Sequence, residues 1–182
     1  MKFVLIFCLV IVATLAQQGV NKSPPSITDA VNQIQCEVCK GSVKHSWREA
    51  VKHRAYCQEH RDESKGCARS SSTRGAVLDI MEKSCKFILD HFRIIRTKDT
   101  QYRLEAVHDE SEATPEPWQK TAVEKACHHG LLNNREGDRY ERILHANVEA
   151  GKTEGTILPN LQTHLCEIAC NRQVDFSDSD EL

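Results

Sequence analysis

CEVC (Cys36 to Cys39) and CEIAC (Cys166 to Cys170) are the two stretches of this sequence that decide its fold. The cysteines of the first stretch are three positions apart and those of the second four, so each pair projects from one side of a helix. Two such helices can be joined side by side by two disulfides. An antiparallel arrangement gives the nested pairs Cys36–Cys170 and Cys39–Cys166, and a parallel one gives Cys36–Cys166 and Cys39–Cys170. We expect the antiparallel arrangement, which is common in compact helical domains.

The remaining cysteines predict two further disulfides. The sequence contains nine cysteines, and an even number, eight, remains once Cys8 is removed with a signal peptide. An even number in an oxidising compartment favours a disulfide framework. Cys85 and Cys127 fall on two predicted middle helices and form the natural third pair, whereas Cys57 and Cys67 would close a polar insertion locally. Aromatic residues make up only 5% of the chain, so the core is thin and bridges of about 2–4 kcal/mol each would support it.

The first 16 residues have the features of a secretory signal peptide. Lys2 is followed by an apolar run from Phe3 to Ala13, and small residues precede the expected cleavage after Ala16. The run has about 11 residues, too few to span a bilayer, and no later stretch approaches about 18 apolar residues. We therefore expect the mature chain to be a soluble, not membrane-spanning, protein of a secretory compartment.

Two polar segments flank the predicted domain, which covers residues 27–172. Residues 17–26 form a leader that contains Asn21 in a sequon, a candidate glycosylation site that the nearby proline disfavours. Residues 173–182 form an acidic tail without any apolar periodicity.

Helical periodicity dominates the domain between these segments. Apolar residues recur at steps of three and four in five stretches, which predicts a mainly α fold. Residues 54–74 are polar and are predicted to be a loop or insertion. The predicted helices cover residues 27–53, about 77–92, 118–129, 137–151 and 159–172. Two outcomes are open for the third: Gly130 caps it, or the helix continues beyond.

The first predicted helix carries apolar residues on two sides. Val43 and Trp47 belong to one stripe, whereas Val31 and Ile34 lie on the opposite side. Two explanations are open: the helix is covered on both sides, or the chain bends just before Cys36.

A short β-hairpin is predicted between the second and third helices. Tyr102, Leu104 and Ala106 alternate with the charged residues Arg103 and Glu105, and this period of two is typical of a half-buried strand.

Several functional classes are excluded by what the sequence lacks. Lys and Arg number 24 and Asp and Glu 26, so the chain has no basic footprint for nucleic acid. There is no nucleophile elbow, phosphate loop or metal-binding histidine motif, and we expect no catalytic residue, metal or cofactor. The nine histidines are scattered and are expected to be ordinary surface or core residues.

The order of the cysteines resembles the saposin-type framework, and the sequence resembles the canopy family of endoplasmic reticulum proteins in particular. The similar stretches are spread over nearly the whole mature chain. They are CEVCKGSVKHSW (36–47), AVLDIMEKSCKFI (76–88), TAVEKAC (121–127), HLCEIAC (164–170) and the terminal SDEL (179–182).

This resemblance implies a saposin-like helical domain, stapled by disulfides and enlarged by insertions between the helices. It implies the nested pairing Cys36–Cys170 and Cys39–Cys166. It also implies a non-enzymatic luminal chaperone or co-chaperone of secretory proteins and cell-surface receptors, whose partners are its clients and other chaperones.

The last four residues, Ser179, Asp180, Glu181 and Leu182, are predicted to be a variant of the K-D-E-L retrieval address. A retrieval receptor that recognises such an address would hold the protein in the endoplasmic reticulum lumen. Serine stands in place of the lysine of that address, which is expected to weaken retention.

Three alternatives compete with these interpretations. Cys36 and Cys39 could form a redox-active dithiol, although such motifs sit at a helix N-terminus and these cysteines are predicted to be mid-helix. With Cys166 and Cys170 they could instead bind zinc, although the secretory setting favours disulfides. The amphipathic stripes could line a lipid cavity, which would make the chain a saposin-like lipid-binding protein, although they equally well form a core.

Overall fold

The computed structural model describes residues 26–68, 71–107, 114–132 and 134–173. These ranges form a mainly helical fold with two small antiparallel sheets and four disulfides. None of the helices in these ranges is long and apolar enough to cross a bilayer. The helices are α1 (Ile27–His60), α2 (Arg74–His91), α3 (Pro117–Cys127), α4 (Asn134–Glu149), α5 (Glu154–Leu165) and α6 (Glu167–Asn171).

Helix α1 runs unbroken for 34 residues and organises the whole fold. The Ser26 hydroxyl accepts a hydrogen bond from the Asp29 N–H and caps its first turn. The helix ends where Arg61 takes a left-handed conformation with φ 46° and donates its N–H to the Cys57 carbonyl. The prediction that this helix ends at His53 was wrong, because the polar last turns need only partial burial to stay helical.

The two apolar sides of α1 are both buried, so the chain does not bend before Cys36. Val31 and Ile34 have no exposed surface, and neither has Val43 on the opposite side. Helix α1 packs against α2, α3 and α5 and against the second strand of the larger sheet. A central helix surrounded by its neighbours needs apolar residues all round, which explains the broad pattern.

The predicted β-hairpin is confirmed. Strand β3 (Phe92–Arg96) pairs with strand β4 (Tyr102–Ala106) in an antiparallel register that places Ile94 opposite Leu104. The outer edge of β4 lies along α1. There Gln33 Oε1 accepts from the Tyr102 N–H at 2.5 Å, and Glu37 Oε2 accepts from the Leu104 N–H at 2.7 Å. Helix α1 therefore supplies hydrogen-bond partners that an exposed strand edge would lack.

A second, smaller hairpin follows α1 and was not predicted. Strands β1 (Cys67–Ala68) and β2 (Ser71–Ser72) pair after a 3₁₀ turn at Glu63–Lys65. Gly66 joins the turn to β1 with φ 78°, a conformation that glycine adopts without strain.

Gly130 does not cap the third predicted helix, which corresponds to α3 and continues past its α-helical part in a different helical form. Helix α3 ends at Cys127, and a π-helical turn follows at His128–Leu132. In this turn Gly130 approaches α6 so closely that a Cβ atom there would lie 3.2 Å from the Ala169 Cβ. The small residue allows the turn to pack against the carboxyl-terminal helix.

The last predicted helix, 159–172, is divided in two in the structure. Helix α5 begins at Glu154, so Pro159 lies inside it and not at its start. The chain breaks at Cys166 before α6 begins. The fourth predicted helix corresponds to α4, and Gly151, with φ 68°, ends the turn that follows it.

Two of the ion pairs that connect helices in the described ranges differ in the burial of their carboxylate. Arg74 Nε lies 2.8 Å from both carboxylate oxygens of Glu141, which is only 4% exposed, and joins α2 to α4. Arg48 and Glu154 pair at 2.7 Å on the surface between α1 and α5. In the first pair the Arg74 side chain is 58% exposed, so the arginine covers and neutralises a buried carboxylate from the solvent side.

Candidate functional site

The two outer disulfides join α1 to the carboxyl-terminal helices in nested order. The Cα atoms of Cys36 and Cys170 are 4.4 Å apart, and those of Cys39 and Cys166 are 5.7 Å apart. These are the pairs expected for antiparallel helices. Beside them, Gln35 Nε2 donates to the carbonyl of Arg172 at 2.5 Å and closes the same end of the fold.

Cys36 and Cys39 of the CEVC stretch are thus not bonded to each other, and each forms a disulfide with a different cysteine. Both cysteines lie in the middle of α1, nine or more residues after its start at Ile27. Cys39 and its partner Cys166 have no exposed surface, whereas Cys170 is exposed. A substrate thiol therefore cannot reach the buried Cys39–Cys166 bridge in this arrangement.

The third disulfide connects Cys85 on α2 to Cys127 at the end of α3, with Cα atoms 5.9 Å apart. The Ser42 hydroxyl lies 3.8 Å from the Cys127 sulfur, so this bridge packs against α1 as well. It joins the two middle helices, as the sequence predicted.

The fourth disulfide, Cys57–Cys67, closes the small hairpin onto the end of α1, with Cα atoms 5.2 Å apart. His53 lies beside it, and the potential ligand atoms of the three residues are within 4.8 Å of one another. Both sulfurs are engaged in the disulfide and offer no thiolate to a metal. The His53 ring instead bonds to the Ser72 hydroxyl and the Lys65 carbonyl, each at 2.8 Å.

A groove of about 650 Å³ runs between α1 and α2, and its walls carry stacked aromatic and histidine rings. At one end the Phe87 ring lies between two histidines. The His45 ring is parallel to it at 3.7 Å between centroids, and the His91 ring is stacked on it at 4.2 Å. We name this surface the histidine groove; it is defined by His45, Glu49, Lys52, His53, Tyr56, Ile80, Lys83, Phe87 and His91.

The other end of the histidine groove is formed by Tyr56. Its ring is stacked on His60 at 4.4 Å, and the Lys65 ammonium lies 5.2 Å from its centre. Cations favour the face of such a ring. Rings from α1 and α2 therefore line the groove from end to end.

Positive and protonatable groups dominate the charge of the histidine groove. The one carboxylate on its walls, Glu49, pairs with Lys52 at 2.6 Å. Within the described part of the chain, Lys83 has no such partner. Burial lowers the pKa of His45 below its usual 6.5; Glu49 opposes this effect, and His91 and Lys52 add to it.

Some of the predicted site residues lie outside the residues that the structure describes. These are the signal peptide, Cys8 within it, the sequon at Asn21 and the retrieval address at residues 179–182. They remain predictions from the sequence.

Comparison with protein-family models finds no match, and no curated protein or solved structure is significantly similar to this chain. Function is therefore inferred from the residues of the chain itself.

The histidine groove was missed by the sequence analysis, which described the nine histidines as scattered. A signal was present, because His45, His53 and His60 follow one another at intervals of eight and seven residues and fall near one face of a helix. The contribution of His91 and Phe87 depends on how α2 packs against α1, which the sequence alone does not reveal.

Proposed function

We propose that this protein is a non-enzymatic chaperone or co-chaperone of the endoplasmic reticulum lumen, with a saposin-like fold of the canopy type. The observation that carries the proposal is the nested pair Cys36–Cys170 and Cys39–Cys166. This is the pairing that the resemblance to the canopy family implies. Its clients would be secretory proteins and cell-surface receptors during their maturation.

A binding role is favoured over thiol–disulfide exchange by the position of the CEVC stretch. Exchange requires a thiolate that is accessible and activated, commonly at a helix N-terminus. Here both thiols are mid-helix, and each is joined to a different cysteine near the end of the described chain. The four bridges are better explained as structural supports of a small core.

A lipid-binding role is the alternative that the same cysteine framework suggests. The apolar stripes of α1 to α5 pack against one another in a single core cluster, which supports the chaperone proposal over a lipid cavity. Luminal retention is proposed from the sequence at residues 179–182, and partial leakage is expected from serine in place of lysine.

Crosslinking in intact secretory cells tests the proposal. The chain is expressed with an epitope inserted directly after residue 16, crosslinked with a membrane-permeable reagent and captured under denaturing conditions. The matched control is a fluorescent protein that carries residues 1–16 and 179–182. We expect the chain, and not the control, to capture receptors and secretory proteins that still carry immature glycans.

Two results would contradict the chaperone role. One is a set of captured proteins no different from that of the control. The other is a stoichiometric lipid on the purified protein in native mass spectrometry, which would favour the lipid-binding alternative.

A further inference from the structure

The histidine groove has the dimensions of a short extended peptide. From His45 to Tyr56 it follows α1 for 11 residues, which is about 16 Å. A strand advances about 3.3 Å per residue, so about five residues of extended chain span this length. The volume of about 650 Å³ lies within the usual range for ligand sites.

The floor of the groove is apolar. Phe87, Ile80 and Tyr56 are only partly buried and expose apolar surface between the two helices. An aromatic or aliphatic side chain would cover this surface and remove it from water. The groove therefore suits a segment with at least one apolar anchor.

The rim of the groove is cationic. Glu49 is neutralised by Lys52, so Lys83 contributes the excess charge at neutral pH. His45, His53 and His91 lie on the same walls, and histidine is the side chain that gains a positive charge when the pH falls below neutrality. A partner that matches this rim carries several carboxylates, and the complementary charges would speed and orient its binding.

We propose that the histidine groove binds an extended acidic polypeptide segment of about five residues with one apolar anchor, and that protonation of its histidines tightens the binding. The inference depends on the groove alone and does not require the luminal chaperone role. A carboxylate placed over the groove favours the charged form of each nearby histidine. Binding therefore takes up protons and strengthens as the pH falls.

The groups that face His45 determine the pH at which its protonation changes the affinity for the segment. On α1 they are Glu49 and Lys52, and on α2 they are Lys83 and His91. Burial, His91 and Lys52 oppose protonation of His45 in the free protein, whereas Glu49 favours it. The carboxylates of an acidic segment would add to the effect of Glu49.

The experiment is a titration of the purified mature chain with a rhodamine-labelled peptide, GSDEFDEGS, at physiological ionic strength. Fluorescence anisotropy is recorded at pH 7.4 and pH 5.8. Two comparison peptides separate charge from the apolar anchor: GSKKFKKGS reverses the charge, and GSDESDEGS removes the phenylalanine. We expect GSDEFDEGS to bind at least about fivefold more tightly at the lower pH and the other two to bind weakly at both.

Variants locate the site. Lys83→Glu reverses an exposed charge on the rim and is expected to weaken binding at least about fivefold. Lys152→Glu makes the same change on an exposed residue outside the groove and should leave affinity within about twofold. His91→Gln, also at an exposed position, should reduce the pH dependence and leave binding at pH 7.4 nearly unchanged. Melting curves establish that each variant is folded.

Three results would overturn the inference. They are equal affinity for GSDEFDEGS at the two pH values, an equal loss in Lys83→Glu and Lys152→Glu, and binding of GSKKFKKGS as tight as that of GSDEFDEGS. Binding of anionic phosphatidylserine vesicles without binding of the peptide would also overturn it, in favour of a membrane surface.

Discussion

Cys39 and Cys166 are 127 positions apart in the sequence, yet their Cα atoms lie 5.7 Å apart and neither residue has any exposed surface. The neighbouring bridge, Cys36–Cys170, spans almost the same separation, 134 positions, but Cys170 is exposed. The two bridges thus differ in burial much more than in the length of chain that they close.

Replacing the buried bridge is expected to destabilise the protein more than replacing the exposed one. Cys39→Ser/Cys166→Ser places two hydroxyls in the core, where polar groups without partners are costly, and Cys36→Ser/Cys170→Ser does not. Loss of a native bridge in a small domain costs about 2–5 kcal/mol, and the buried pair should lie at the upper end. Thermal unfolding of both variants measures the difference. Equal melting temperatures would show that chain closure alone determines their contribution.

The Cys57–Cys67 bridge, which is buried like Cys39–Cys166 but closes a short loop, provides a third comparison. Cys57 and Cys67 are only 10 positions apart, so Cys57→Ser/Cys67→Ser frees a short loop and is expected to lower the melting temperature less than Cys39→Ser/Cys166→Ser. Circular dichroism during heating, with intact disulfides established by peptide mapping, measures both. A larger effect of the short loop would contradict this ranking.

Two glycine substitutions should have opposite effects. Gly130→Ala places a Cβ atom 3.2 Å from the Ala169 Cβ and should cost about 1 kcal/mol, because α6 must move away. Gly155→Ala, within α5, meets no atom within 4 Å and should stabilise the helix by about 0.5 kcal/mol. Chemical denaturation of the two variants measures these changes. If Gly130→Ala is neutral, the turn and α6 are not in close contact.

The histidine at the end of the groove should make stability depend on pH. Burial lowers the pKa of His45 in the folded protein, so the unfolded chain binds more protons near pH 6. Stability from this group is present above its ordinary pKa of 6.5 and is lost as the pH falls toward the lowered value. The melting temperature of His45→Gln should therefore fall less between pH 7.5 and 5.5 than that of the native chain. His128→Gln, an exposed control, should behave like the native chain, and an identical slope in all three would refute the assignment.

The ion pair with a buried carboxylate, Arg74–Glu141, should be worth more than the one with an exposed carboxylate, Arg48–Glu154. Arg74→Met leaves Glu141, which is 4% exposed, without its arginine, whereas Arg48→Met leaves a carboxylate that water can reach. We expect a larger fall in melting temperature for Arg74→Met, because an unpaired buried charge is costly. The double variant Arg74→Met/Glu141→Gln should recover part of that loss. No recovery would mean that Arg74 acts through packing and not through charge.

Deletion of residues 179–182 should release the protein into the medium. The full chain is expected to stay mainly in the cell lysate, and Ser179→Lys should retain it more strongly because it restores the usual address. Immunoblots of medium and lysate measure the distribution. Equal secretion of the full and shortened chains would remove the basis for a luminal location.

The helical spacing of apolar residues was sufficient to place the helices but not all of their ends. The last helix was predicted to begin at Pro159, yet α5 begins at Glu154 and contains this proline. The break at Cys166 leaves no mark in the apolar pattern, because Leu165 and Ile168 keep helical spacing across it. Ends of this kind depend on tertiary packing.

The disulfide pairs were more predictable than the groove. Cysteine spacing on one helix limits which sulfurs can meet, so a choice between parallel and antiparallel helices was enough to assign the outer pairs. The stacking of His45 and His91 on Phe87 requires the relative position of two helices. No spacing within either helix specifies that position.

During synthesis, Cys36 and Cys39 are added to the growing chain long before their disulfide partners, Cys170 and Cys166. At about 5–20 residues per second, the 127 positions between Cys39 and Cys166 take roughly 6–25 s to synthesise. The Cys57–Cys67 and Cys85–Cys127 bridges can close during that interval, since both members of each are already made. Every new molecule therefore passes through a stage in which α1 carries two free thiols three residues apart, and oxidation can lock the fold only after its last helix emerges.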